Sequence, residues 1–241
     1  MVDLSLYGTA VRTYVWNDIY GQFEREGINF ELIFVGPQSP DFALPENFKY
    51  IKTTVKPSQC VEIARKQCTG RYVLYTTDDL IFPPGTLKGM IAYLDAHPSE
   101  KLAVSPMYRD YGEPFSYEYY QRFNPSNPNS VIVGVCCMMS RELSDEIGGI
   151  DRNFVSLAWD LDRLIRLYQL GGRLHLIREF TIFENQPHGL LRTGEANVDR
   201  EFLRSLYGID GVLQRQRPVE EFEEEGIMKA SQGVKGNGRW V

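Results

Sequence analysis

Tyr72-Val-Leu-Tyr-Thr-Thr-Asp78-Asp79-Leu-Ile-Phe-Pro83 is the stretch on which the reading of this chain turns. Residues 72–76 have the β-branched and aromatic character of a buried strand. Two adjacent carboxylates follow, and Pro83-Pro84 then opens a helix whose Leu87, Met90, Ile91 and Leu94 face inward before Pro98 closes it. The acids fall just past the C-terminal end of a strand, the edge at which open α/β sheets bind ligands. Two carboxylates side by side repel unless a cation or hydrogen-bond donors compensate. A hard dication such as Mg²⁺ or Mn²⁺ suits such oxygens and can bridge to a diphosphate. Taken alone, the segment reads equally well as a solvated turn that holds two aspartates.

The same alternation extends to both sides. A short strand is predicted at residues 2–7, then a helix from Val11, Val15, Ile19 and Phe23 at i, i+4 spacing, stopped by Gly27. FELIFV at 30–35 reads as a central strand covered on both faces, and 50–55 as a shorter one. Ser58 is expected to cap a helix through 68, with Val61, Ala64 and Cys68 as its stripe and Gly70 after it. The natural arrangement is an α/β fold built on a doubly wound parallel sheet.

Beyond Pro98 the regular pattern breaks at 107–129, an aromatic and proline-rich stretch too long for an ordinary loop. Its Tyr117, Tyr119, Tyr120 and Phe123 suit either stacking on sugar rings or packing the loop onto the domain. Strand character returns at 130–139, Ser140 starts a short helix ended by Gly148-Gly149, and 158–170 is a helix with Leu161, Leu164, Ile165 and Tyr168 inward and Gly171 as its stop. A strand at 173–177 follows. The end of the chain turns from acidic (220–225) to basic and glycine-rich (229–239), as a peripheral helix and mobile tail would.

Composition narrows the function. With 241 residues, 43% hydrophobic and 24% charged, the chain is globular and fits one large domain or two small ones. A net charge of −6 argues against nucleic acid as a partner. Cys60, Cys68, Cys136 and Cys137 lack the paired spacing of a zinc site and read as buried free thiols. The first residues resemble neither a signal nor a transit peptide, and no apolar run reaches the roughly 20 residues of a membrane span. A cytoplasmic setting is the expectation.

From about residue 2 to about 177, the order of these elements resembles the family 2 glycosyltransferases of GT-A fold. The family's first strand ends in a Pro-Thr-Tyr-Asn-Arg type segment; Gly8-Thr9-Ala10-Val11-Arg12 keeps its threonine and arginine. Its Asp-Asp strand end is matched by Asp78-Asp79, its Gly-Gly-Phe-Asp by Gly148-Gly149-Ile150-Asp151, and its Glu-Asp-x-Asp-x-x-x-Arg by Trp159-Asp160-Leu161-Asp162 through Arg166. The resemblance implies a single α/β GT-A domain over residues 1–215, its sheet mixed, mostly parallel and flanked by helices, with a donor half at about 1–106 and an acceptor half at about 107–215, and a peripheral helix and mobile tail at 216–241. It implies an enzyme that moves a sugar from a nucleotide-sugar donor to a glycan or other hydroxyl acceptor, with Mn²⁺ or Mg²⁺ and inversion at the anomeric carbon. Asp160 is then the catalytic base, Thr9, Arg12 and Asp78 bind the donor, and Asp79 and His188 hold the metal.

Each assignment has a plainer counterpart. Asp160 lies in a first helical turn, where the helix dipole alone favours an acid. Asp162 stands four residues before Arg166 and is expected to form an i, i+4 ion pair. His188 is as well explained as a surface-loop histidine, and His175, between Leu174 and Leu176, as packing. Where the family has an Asp-Asp-Gly-Ser type segment whose acid contacts the base, this chain has Val35-Gly36-Pro37-Gln38-Ser39; Trp159 also replaces a common glutamate. These departures keep a non-catalytic GT-A-like binding or scaffold module open as the alternative. Nucleotidyl transfer ranks lower, because the first loop lacks a Gly-x-Gly-x-Arg pattern.

Overall fold

The computed structural model describes residues 2–109, 111, 121–122, 132–185, 192–207 and 214–222. The strands are β1 (Leu4–Thr9), β2 (Phe30–Gly36), β3 (Phe48–Lys52), β4 (Tyr72–Tyr75), β5 (Leu80–Ile81), β6 (Leu102–Arg109), β7 (Gln121–Arg122), β8 (Ile132–Val133), β9 (Met138–Ser140) and β10 (Arg173–Glu184). The helices are α1 (Trp16–Arg25), α2 (Pro57–Lys66), α3 (Thr86–Asp95), α4 (Arg141–Ile147), α5 (Trp159–Gln169) and α6 (Arg192–Tyr207).

Eight strands form one sheet in the order β3-β2-β1-β4-β9-β6-β10-β5. The pairs from β3 to β4 are parallel, as is β6 with β10, whereas β9 runs antiparallel to both neighbours and β5 antiparallel to β10. The sheet is therefore mixed and mostly parallel, as expected. The pleat sorts its side chains between two cores. Leu4, Leu6, Phe30, Leu32, Phe34, Leu74 and Val104 join Trp16, Phe23, Leu87 and Met90 from α1 and α3. Ile33, Val35, Val73, Ala103 and Met139 join Val61, Ile63, Leu164 and Ile165 from α2 and α5. Alternation on strands covered on both faces leaves no polar side, which is why 30–35 reads as a continuous apolar run. Each fully buried Leu or Phe stabilises by about 1.5–3 kcal/mol.

Glu31 is the exception inside β2. It is 4% exposed and accepts from the Ser5 hydroxyl at 2.7 Å, Thr69 N at 2.6 Å and Lys49 Nζ at 2.8 Å. Burial alone would raise its carboxyl, and the bonds from Lys49, Ser5 and Thr69 outweigh that and hold it below its ordinary value.

Several local expectations shift. The first helix does not begin at Val11: a 3₁₀ turn at Thr13–Val15 leads into α1, and Val11 is 48% exposed. Ser58 is not the cap of α2; Lys56 holds that position, Pro57 opens the helix, and the Ser58 hydroxyl donates to Phe154 O at 2.5 Å. The prolines at 83–84 do not start α3, which begins after Gly85 at φ +87°. The strand expected at 130–139 divides into β8 and β9, with Cys136 at φ +55° between them. β10 runs through an irregularity between Ile177 and Thr181 to Glu184, and residues 216–222 are not helical. Ser140 does cap α4, accepting from Leu143 N at 3.1 Å.

Candidate active site

β1 and β4 lie side by side in parallel, so the loops that leave their C-terminal ends meet. Asp78 is 1% exposed and organises the loop after β1. Its Oδ2 accepts from Val11 N at 2.6 Å, Arg12 N at 2.5 Å and Trp16 Nε1 at 3.2 Å, while Oδ1 accepts from Arg12 Nη1 at 2.7 Å. Val11 is thus placed outward by its backbone, not by helical periodicity. The same guanidinium lies 3.1 Å from Asp79 Oδ2 through Nη2. Burial opposes the charge on Arg12, and the charges of Asp79 and Asp78 outweigh it and hold the guanidinium above its ordinary value.

Asp79 is 2% exposed. Its Oδ1 accepts from the Thr77 hydroxyl, and its Oδ2 is buried with no hydrogen bond, since Arg12 is close enough for ion pairing but lacks the N–H direction that a hydrogen bond needs. A buried carboxylate oxygen in that state favours a second cation. Among the described residues no three His, Cys, Asp or Glu side chains stand together as a complete metal cage. The orphaned Asp79 oxygen fits a dication of the Mg²⁺ or Mn²⁺ kind, which takes one or two carboxylates and fills its shell with water and phosphate oxygens.

Two glycines let these loops approach. A Cβ on Gly8 would stand 1.9 Å from Thr76 O, and one on Gly36 would stand 2.1 Å from Ala10 O. The first contact explains why no proline occupies position 8. The second excludes an acid at position 36, so the departure there is steric. The Gly36 carbonyl instead accepts from Thr53 N at 2.9 Å and the Tyr50 hydroxyl at 2.6 Å. Gln38 and Asp41, further along this loop, are exposed.

Asp160 is carried by the first turn of α5. Asp199 on α6 accepts at 2.7 Å from each of Val155 N, Ser156 N and Leu157 N, fixing the approach to α5. Ala158 turns at φ +61°, and Trp159 packs edge-on against Tyr75 with ring centroids 4.6 Å apart. Asp160 follows at the wall of a small cleft with Tyr7, Tyr75, Gly134, Cys137 and Trp159. It is half-buried, and desolvation raises its carboxyl to about 6.

The loop at 134–137 joins β8 to β9. Burial pushes the Cys136 thiol well up, assisted by Cys137 and by the negative charges of Asp160, Asp79 and Glu184. Asp160 lines the same cleft as this thiol. Glu184, which the sequence reading missed, ends β10 opposite Leu80, is 8% exposed, and precedes Asn185, whose N donates to Asp79 O at 2.7 Å. An acid at a strand's end was the available signal, hidden because that strand was expected to stop at residue 177.

The other motif acids hold structure. Asp162 is fully buried and accepts from Arg166 Nε at 3.1 Å, as its spacing predicts, and also from the Tyr207 hydroxyl at 2.6 Å and Arg215 Nε at 3.0 Å. Asp151 accepts from Arg215 Nη2 and from Asn153 N. Thr9 closes β1 beside Cys60, whose thiol burial pushes up to about 12 against the opposing effect of the Thr9 hydroxyl. His175 stacks on Tyr93 at 4.0 Å, so it packs as expected. All four cysteines are free. His188 lies outside the described residues, as do Tyr117, Tyr119, Tyr120 and Phe123. Among the described residues no helix is long and apolar enough to cross a membrane.

The family model of glycosyl transferase family 2 matches residues 38–148, a segment that contains Asp78 and Asp79 and stops short of Asp160. Among solved structures, S. aureus TarS 1-349 is similar with a TM-score of 0.58 at 15% identity, over 87% of this chain and 72% of that one. The same protein in complex with UDP gives 0.57 at 14% identity, over 86% and 72%. GalNAc-T7 with UDP, GalNAc and Mn²⁺ gives 0.56 at 10% identity, over 86% of this chain and 48% of that one. No curated protein matches the chain. Residues 38–148 are thus similar to glycosyl transferase family 2, and the chain as a whole has the GT-A fold of these structures.

Proposed function

We propose that this protein transfers a sugar from a nucleoside diphosphate donor to a hydroxyl of its acceptor, with a divalent cation and with inversion at the anomeric carbon. The observation that carries the proposal is the cleft at the end of β4: Tyr75, the last residue of that strand, lines it together with Asp160 from α5, and the same strand runs on into Asp78 and Asp79. One acid is buried with an oxygen left for a cation, and the other is desolvated toward neutral pH at a cleft wall. A desolvated acid at a cleft wall, beside a strand that ends in buried carboxylates, marks a candidate functional site.

In this reading Asp160 accepts the proton of the acceptor hydroxyl as its oxygen bonds to the anomeric carbon. The bond from that carbon to the diphosphate oxygen breaks, and the nucleoside diphosphate leaves with the bonding pair. The cation, when bound, offsets charge on that leaving group. Arg12 and Asp79 belong to the donor side, and the Trp159–Tyr75 pair shapes the acceptor side. TarS and GalNAc-T7 have both been solved with UDP, and the latter with Mn²⁺, so UDP with Mn²⁺ is the first ligand pair to try.

A thermal-shift series of UDP, GDP, CDP, TDP and ADP, each with and without Mn²⁺, tests the proposal, because a ligand that binds the native state raises Tm. One nucleotide should stabilise the protein in a metal-dependent way, and Asp79→Ala should lose that dependence. No shift with any nucleotide would favour the non-catalytic module.

A further inference from the structure

We propose that Arg12 is a built-in competitor of the divalent ion for Asp79, and that a diphosphate relieves the competition by drawing the guanidinium onto its own oxygens. The second half rests on the donor reading above; the first rests on this chain's geometry alone. Arg12 uses Nη1 for Asp78, 2.7 Å away, and presents Nη2 to Asp79 at 3.1 Å. The second contact is the weaker, being an ion pair without a hydrogen bond on an otherwise orphaned Oδ2. One guanidinium thereby offsets both buried acids, and a dication approaching Asp79 meets a fixed positive charge at ion-pairing distance. The backbone bonds from Val11 and Arg12 to Asp78 do not involve the guanidinium, so the loop keeps its anchor when that group swings away. Arginine presents five donors in a planar fork, which suits a move from a carboxylate pair to phosphate oxygens.

The consequence is thermodynamic coupling. Anything that removes Arg12 from Asp79 strengthens the metal's hold, and a diphosphate that takes Arg12 tightens the metal by the factor by which the metal tightens the diphosphate. Mn²⁺ alone should therefore bind the wild-type chain weakly.

Calorimetric titration of Mn²⁺ into wild type, Arg12→Gln and Arg12→Lys, each with and without UDP, tests this. Without nucleotide, Arg12→Gln should bind Mn²⁺ about tenfold more tightly than wild type, and Arg12→Lys should fall between them. UDP should tighten Mn²⁺ strongly in wild type and much less in Arg12→Gln. Equal or weaker Mn²⁺ binding by Arg12→Gln overturns the competition, and equal UDP-induced tightening in both proteins overturns the coupling. Should Arg12→Gln not fold, as judged by circular dichroism, Arg12→Lys decides: Mn²⁺ affinity unchanged from wild type overturns the competition. If UDP fails to bind wild type while Arg12→Gln still gains Mn²⁺ affinity, the donor reading fails and the competition for Asp79 stands.

Discussion

Arg215 and Asp162 lie 3.0 Å apart, Nε to Oδ1, in a buried contact between the segment after α6 and the first turn of α5. The same guanidinium reaches Asp151 through Nη2, so one arginine offsets an acid from each of two motifs. Arg215→Met would leave Asp151 without this ion pair, and Asp162 with Arg166 and the Tyr207 hydroxyl. Breaking a buried pair from one side costs about 3–5 kcal/mol. Urea denaturation should show a loss of that size, and a change below about 0.5 kcal/mol would mean that solvent already screens the pair.

Asp199 makes a second long-range tie. Its carboxylate accepts from three consecutive backbone nitrogens, Val155 to Leu157, immediately before Ala158 turns into α5. Asp199→Ala removes three charge-assisted bonds and should destabilise by about 3 kcal/mol. Because this loop sets Trp159 and Asp160 and not Asp79, acceptor transfer should fall further than nucleotide affinity. Equal losses in both would place the loop's influence on the whole site.

The glycines make a sharper structural test. Gly8→Ala would put a methyl 1.9 Å from Thr76 O, which is backbone and cannot yield without parting β1 from β4. A loss of about 3 kcal/mol or more, or failure to accumulate as soluble protein, is expected. Gly21 in α1 is the control, since an added Cβ meets only the tip of Arg25 at 3.5 Å. Gly21→Ala should stabilise by about 0.5–1 kcal/mol, read as a higher denaturation midpoint.

Local pattern carried the strands and the acids at their ends, because side-chain alternation, turn glycines and an Asp-Asp pair are short-range signals. The hydrogen bonds from Val11, Arg12 and Trp16 to Asp78 were not legible, because they span more than 60 residues. Nor were Asp199 and Arg215, whose partners are over 40 residues away. The break before β9 turns on Cys136 in a left-handed conformation, which a cysteine does not announce as a glycine would. The full length of β10 was hidden by exposed Arg178 and Glu179 at its irregularity, where the apolar alternation lapses.

Asp160 makes the site's pH dependence calculable in direction. Desolvation raises its folded-state carboxyl to about 6 from an ordinary 3.8. A group raised in the folded state binds more protons there than in the unfolded chain, so its contribution to stability is full below the ordinary value and is lost as pH rises through about 6. Asp160→Asn, which keeps the shape without the charge, should therefore melt higher than wild type at pH 7. The difference should shrink as pH falls toward 4, where wild type is neutral at this position too. The same ionisation should govern transfer, with kcat/KM rising through an apparent midpoint near 6 and the Asn variant reduced by about 10²–10⁴-fold. A variant that melts higher yet transfers at the wild-type rate would make Asp160 a desolvated acid without a part in the chemistry; one that loses transfer while donor affinity holds assigns it the proton.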